Sequence, residues 1–288
     1  MKAYDMIDPL FQDAVNAIDS GNISLLQHLL EVHPQLVTHR QNNPTEGYFK
    51  FPYLLWFIAG NPVRNKKLPA NIIEITDLLI KFVMQNDPES FQEQIDYTLG
   101  LVETGRIPRE CNVQIGLIDL LIDNGAGPGN AQAALAHGNI EAAKHIIERS
   151  GQITLTAAVC LGRIDDVKRL LADASTDERQ VALIAAAFYG KPDITLLLIN
   201  SGVDVNAYID QGFHTHATAL HQAVQSGSLE TVKLLLQAGA NPDARDKAYN
   251  GTPLGWAKFM QGEESNENLK EKYKEIGQYL LAIQNKED

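Results

Sequence analysis

The chain of 288 residues has little cysteine, few cations and no long apolar run. Its two cysteines, Cys111 and Cys160, show no paired spacing, which excludes a disulfide scaffold and leads us to expect a reducing compartment. Lys and Arg number 24 against 36 Asp and Glu, so the formal net charge is 24 − 36 = −12. Phosphate binding needs a basic face, and so acidic a chain argues against nucleic acid as a partner. The longest largely apolar run, Phe51 to Val63, is interrupted by Pro52 and Pro62 and is too short to span a bilayer. Met1-Lys2-Ala3-Tyr4-Asp5 places an acid where a secretory leader needs an apolar stretch, so a cytoplasmic location without membrane association is expected. There is no phosphate-cradling Gly-rich loop ending in Lys-Ser/Thr, no nucleophile elbow, no Cys-x-x-Cys and no His-Glu-x-x-His. The reading is therefore of a protein that is not an enzyme and carries no cofactor.

What the sequence does contain is ordinary globular composition, 44% hydrophobic with 21 Gly and 12 Pro, arranged in repeats. The clearest unit begins Thr218-Ala219-Leu220-His221-Gln222-Ala223-Val224 and ends at Gly239. Leu220, Ala223 and Val224 fall at i, i+3 and i+4, one face of a short helix that Gly227 stops. Leu229, Val232, Leu235 and Leu236 form one face of a second helix, so the unit predicts two antiparallel helices joined by a tight turn. Second helices of the same kind are expected at 23–30, 73–82, 114–124, 140–147, 164–171, 194–199 and 269–282. Taking the residue equivalent to Leu236 as a marker gives Leu30, Ile80, Ile122, Ile147, Leu171, Ile199, Leu236 and Leu281, which makes eight copies.

The chain resembles the ankyrin repeat family. Thr218-Ala219-Leu220-His221 matches that family's Thr-Pro-Leu-His signature except at Ala219, and Gly251-Thr252-Pro253-Leu254 matches its start. Gly239-Ala240-Asn241-Pro242-Asp243-Ala244 and Gly202-Val203-Asp204-Val205-Asn206-Ala207 look like its inter-repeat segment. The Gly, His and Thr of segment 212–218 also resemble a finger of some bacterial ankyrin proteins. The resemblance implies an all-α fold: one ankyrin solenoid over 1–288, with about eight helix pairs and short β-hairpin-like fingers in the C-terminal half. Approximate copies are 9–40, 47–87, 90–127, 128–152, 153–176, 180–208, 216–245 and 250–285.

Successive markers lie 50, 42, 25, 24, 28, 37 and 45 residues apart, against about 33 in a regular ankyrin repeat. A bare helix pair needs only about 24, so 131–175 should hold consecutive short helices with no hairpin. The longer steps place fingers and insertions at 34–52, 60–71, 87–97, 203–217, 241–252 and 261–268. Within 60–71, Arg64, Lys66 and Lys67 form a small basic cluster, read as a solvated turn. Asn250-Gly251 reads as a turn leading into a helix capped by Thr252, with Pro253 at its first position.

Ankyrin stacks line their concave side with fingers and first helices, and the resemblance implies protein–protein recognition there. Trp56, Phe57, Phe188, Tyr189, Trp256 and Phe259 fall on first helices; Tyr208, Phe213 and Tyr249 fall on fingers. Exposed aromatic residues on a rigid groove are typical interface anchors. Together with His214 and the cations Arg245 and Lys247, the residues Tyr208, Phe213, Tyr249, Phe188, Tyr189 and Phe259 form the candidate partner-binding set of a monomeric chain. An alternative is metal binding: on an extended finger His214 and His216 would point to one side, with Asp210 nearby in sequence. The signature His221 is expected to make structural hydrogen bonds within and between repeats.

Overall fold

The computed structural model describes residues 8–41, 50–210 and 212–287. Part of the predicted insertion 34–52, the first residues of the copy at 47–87, and Gln211 lie outside them. Contacts divide the chain into two compact units, Met1–Gly151 and Gln152–Asp288.

In the first unit the helices are α1 (Pro9–Ser20), α2 (Ile23–Val32), α3 (Gln35–Thr38), α4 (Ile72–Asn86), α5 (Phe91–Thr104), α6 (Arg106–Glu110), α7 (Gln114–Asp123), α8 (Gln132–Ala136) and α9 (Ile140–Ser150), with a 3-10 segment at Leu54–Ala59. First helices α1, the 3-10 segment, α5 and α8 touch in succession; second helices α2, α4, α7 and α9 do the same behind them. The short helices α3 and α6 have no counterpart in the sequence reading. Every residue of the 3-10 segment is buried, Trp56 and Phe57 included, so these two rings are core and not groove. The basic cluster of 60–71 divides: the Arg64 guanidinium makes a two-pronged ion pair with Asp19 and donates to the carbonyls of Phe57 and Pro62, while Lys66 and Lys67 are exposed.

In the second unit follow α10 (Leu155–Cys160), α11 (Ile164–Leu171), α12 (Thr176–Phe188), α13 (Pro192–Asn200), α14 (Ala219–Gln225), α15 (Leu229–Gln237), α16 (Pro253–Glu263) and α17 (Glu267–Glu287). Here α10, α12, α14 and α16 form one row, and α13, α15 and α17 another. Local chemistry sets the ends. Ser175 accepts from the Glu178 amide while Glu178 reaches back to the Ser175 amide, a capping box that starts α12. Thr252 accepts from the Gly255 amide at 3.1 Å, with Pro253 at the first helical position of α16. Gly227, at φ 68°, turns the chain between α14 and α15 in a conformation that costs a side chain strain. Each row presents its apolar face inward: Leu220, Ala223 and Val224 of α14 and Val232 and Leu235 of α15 are fully buried. Residues 131–175 are short helices and turns, as the 24- and 25-residue steps require.

The β-hairpin-like fingers are a correction. Among the described residues no strand forms, and 201–218 and 238–252 are successions of turns. The reason is visible in the bonding: short Asx turns, such as Asn206 N–H to Asp204 and Asp243 N–H to Asn241, take up the backbone donors that a ladder would need. No helix among the described residues is long and apolar enough to cross a membrane.

Candidate functional site

The two turn segments are joined side by side through side chains. Asn206 donates to the Gly239 carbonyl at 2.9 Å and accepts from the Asn241 amide at 2.7 Å, so its carboxamide substitutes for a strand pairing. The Tyr208 hydroxyl donates to the Arg245 carbonyl at 2.7 Å, and the Lys247 amide donates to the His216 carbonyl at 2.7 Å.

Asp246 holds the second turn. Its side chain is buried, and its carboxylate accepts from the amides of Ala248 (2.9 Å), Tyr249 (2.6 Å) and Gly251 (2.8 Å) and from the Trp256 indole (3.0 Å). Burial by itself would raise its pKa, but the donated hydrogen bonds outweigh that and hold it below the ordinary carboxylate value. Gly251 is obligatory at this point, because a Cβ there would lie 2.9 Å from the Asp246 carboxylate and 3.1 Å from the indole. His221, also buried, completes the join. Its Nε2–H donates to the Gly251 carbonyl at 3.1 Å, which leaves Nδ1 to accept from the Thr218 hydroxyl at 2.8 Å. Burial pushes the His221 imidazole below its ordinary pKa, and it stays neutral.

This bonding fixes which candidate residues face outward. Tyr249 is 86% exposed and Phe259 68% exposed; Arg245 and Lys247 are exposed close to Tyr249 in sequence. Arg245 donates to the Asn250 carbonyl at 3.0 Å, and the Lys247 ammonium lies 5.1 Å from the Tyr208 ring centroid. Tyr208 is half-buried and uses its hydroxyl on the turn, so it supports the site more than it presents a surface. Phe213 is a clear correction: it is fully buried, edge-on to Phe188 at 5.4 Å, and cannot anchor a partner. Its place after Gly212 in a polar segment offered no sign of this.

Phe188, Tyr189, His214, His216 and Trp256 are half-buried. Phe188 and His214 stack at 4.4 Å, and His216 and Trp256 stack at 6.0 Å. The rings of His214 and His216 lie 6.1 Å apart, Asp210 is exposed 4.0 Å from Lys247, and no group of three potential metal ligands gathers among the described residues. Cys160 is buried and its thiol is pushed up to about 12, which makes it chemically inert.

The arrangement of helix pairs, the buried signature histidine and the side-chain-linked turns coincide with a family model described as ankyrin repeats (three copies), which matches residues 155–246 and 183–285. Residues 155–285 are thus similar to ankyrin repeats. Over 162 residues, half of this chain and 6% of the relative, it is 28% identical to an ankyrin repeat and KH domain-containing protein of Caenorhabditis elegans. Over 127 residues it is 31% identical to human ankyrin repeat domain-containing protein 63, covering 40% of this chain and 32% of that one. Over 99 residues it is 31% identical to a putative ankyrin repeat protein of fowlpox virus, covering 33% of this chain and 14% of that one. This chain thus spans a third or less of each of these relatives. They are animal and viral, and the likeness to bacterial ankyrin proteins gains no support from them. Ankyrin repeats generally mediate protein–protein interaction and are non-enzymatic scaffolds.

Proposed function

We propose that this chain is a non-catalytic, monomeric recognition module of the cytoplasm, and that it binds a protein partner through the turn 241–252 and the adjoining end of α16. The observation that carries this reading is the Asp246 network: a fully bonded carboxylate holds a turn whose exposed residues are Arg245, Lys247 and Tyr249. A pre-ordered surface loses little entropy on association, and an exposed Tyr beside cations has the composition of an interface anchor. We infer further that all eight helix pairs, including those of 1–151 outside the family match, are copies of one repeat. The common bonding at Gly21, Gly138, Gly162, Gly190 and Gly227, each with positive φ between a first and a second helix, supports this.

The test is a binding measurement on a partner captured from native lysate. Tyr249→Ala is expected to weaken binding by more than about 1 kcal/mol with an unchanged melting temperature, because the side chain has nothing to lose on the folded side. Arg245→Glu is expected mainly to slow association, most visibly at low salt, since exposed charge is screened over about 8–10 Å at physiological ionic strength. Full affinity and full rate in both variants would move the site elsewhere, with 60–71 as the next segment to examine.

A further inference from the structure

The rings of the C-terminal repeats form a continuous half-buried row drawn from three successive segments: Phe188 at the end of α12, His214 and His216 in the turn 212–217, and Trp256 on α16. Neighbouring centroids are 4.4, 6.1 and 6.0 Å apart. Three features beside this row specify what it fits. Among the described residues no hydrogen bond engages the His216 ring, which is half-buried and carries a ring N–H able to donate. The adjacent backbone acceptor, the His216 carbonyl, is already taken by the Lys247 amide, and the Trp256 indole N–H by Asp246. Lys247 is thereby tied to the row, and it and Arg245 are exposed cations in a chain of net charge −12.

Resting on the protein-recognition reading above, we infer that this row docks an extended, proline-rich peptide segment flanked by acidic residues. Proline has no N–H and so demands no acceptor, which matches a row whose neighbouring acceptor is occupied. Its carbonyl needs a donor, and His216 supplies one. Proline-rich segments are already extended in water and pack their rings against aromatic side chains at little entropic cost. Acidic flanks would be repelled by most of this chain's surface and attracted at Arg245 and Lys247, which selects the row over other faces.

Calorimetry on the full chain, with tryptophan emission followed in parallel, tests this with three synthetic peptides: oligoproline flanked by Asp and Glu, the same peptide with every Pro replaced by Ala, and oligoproline flanked by Lys. The first is expected to bind and to shift the emission, and the other two to bind at least ~10-fold more weakly. His216→Ala is expected to weaken the first peptide by at least ~5-fold, and Lys247→Glu to weaken it and remove its salt dependence. Lys247 is exposed and its Glu variant keeps the backbone bond to His216, so that arm holds even if His216→Ala disturbs folding. Equal binding of the Pro and Ala peptides, stronger binding of the Lys-flanked peptide, or no binding of the first at millimolar concentration overturns the inference. If no peptide binds while Tyr249→Ala or Arg245→Glu still impairs binding of the captured partner, the proline-segment inference fails and the recognition reading stands; if both variants are also without effect, both fail.

Discussion

Asp246 and His221 do at the residue scale what a strand ladder does in other repeat proteins. Asp246→Asn keeps the shape but replaces one accepting oxygen with an amide nitrogen, and because each oxygen accepts from two donors, either Ala248 and Tyr249 or Gly251 and Trp256 lose their acceptor. The expected loss is about 1–3 kcal/mol in urea unfolding, with a change in tryptophan emission; a cost under ~0.5 kcal/mol would mean that the turn is held by other contacts. His221 gives a pH dependence whose sign follows from burial. Its folded pKa lies below the ordinary 6.5, so below that pH the unfolded chain binds a proton that the folded chain refuses. Its contribution is therefore complete above about pH 6.5 and declines as pH falls below it, with a limiting slope of about 1.4 kcal/mol per pH unit. Denaturant midpoints from pH 7.5 to 5.5 should fall more steeply in the parent chain than in His221→Gln, and parallel curves would remove His221 as the cause. The structural role of His221 was legible from its place in Thr218-Ala219-Leu220-His221. The burial of Phe213 was not, because nothing adjacent in sequence indicates that α12 brings Phe188 against it.

Helices were the most legible elements. The spacing of Leu229, Val232, Leu235 and Leu236 defines α15, and the observed limits, Leu229–Gln237, follow from Ser228 accepting the Thr231 amide at one end and Gly239 at the other. Leu235 is fully buried, so Leu235→Ala is expected to cost about 2–5 kcal/mol through lost transfer energy and the cavity left behind. A shift in denaturant midpoint worth less than ~1 kcal/mol would mean that the neighbouring helices collapse into the space. Two kinds of element escaped the periodicity. The segment Leu54–Ala59 is a 3-10 helix buried on all sides, where no polar face exists to mark a period. The inter-repeat segments are expected as hairpins from the sequence, but Asp204, Asn241 and Asp246 bond to backbone amides two residues on and favour turns over strands.

On a larger scale, within each of the two units the helix pairs pack on their neighbours and order accumulates step by step. Residues 152–288 form a compact unit with their own rows of helices. Expressed alone, this segment is expected to give a helical circular dichroism spectrum and a cooperative thermal transition, and a featureless melt would show that it depends on residues 1–151 for its fold. The sequence by itself determined the helix pairs, the turns that separate them and the absence of hairpins from 131–175. Those properties are local: they depend on apolar period, on capping residues and on the number of residues between markers. Tertiary structure decided which aromatic residues are core and which are surface, because Tyr249 and Phe213 lie in similar polar turns and differ only in what neighbouring helices place over them. It also decided the Asp246 network and the ring row from Phe188 to Trp256, since both are assembled from residues of separate segments whose proximity no local pattern encodes.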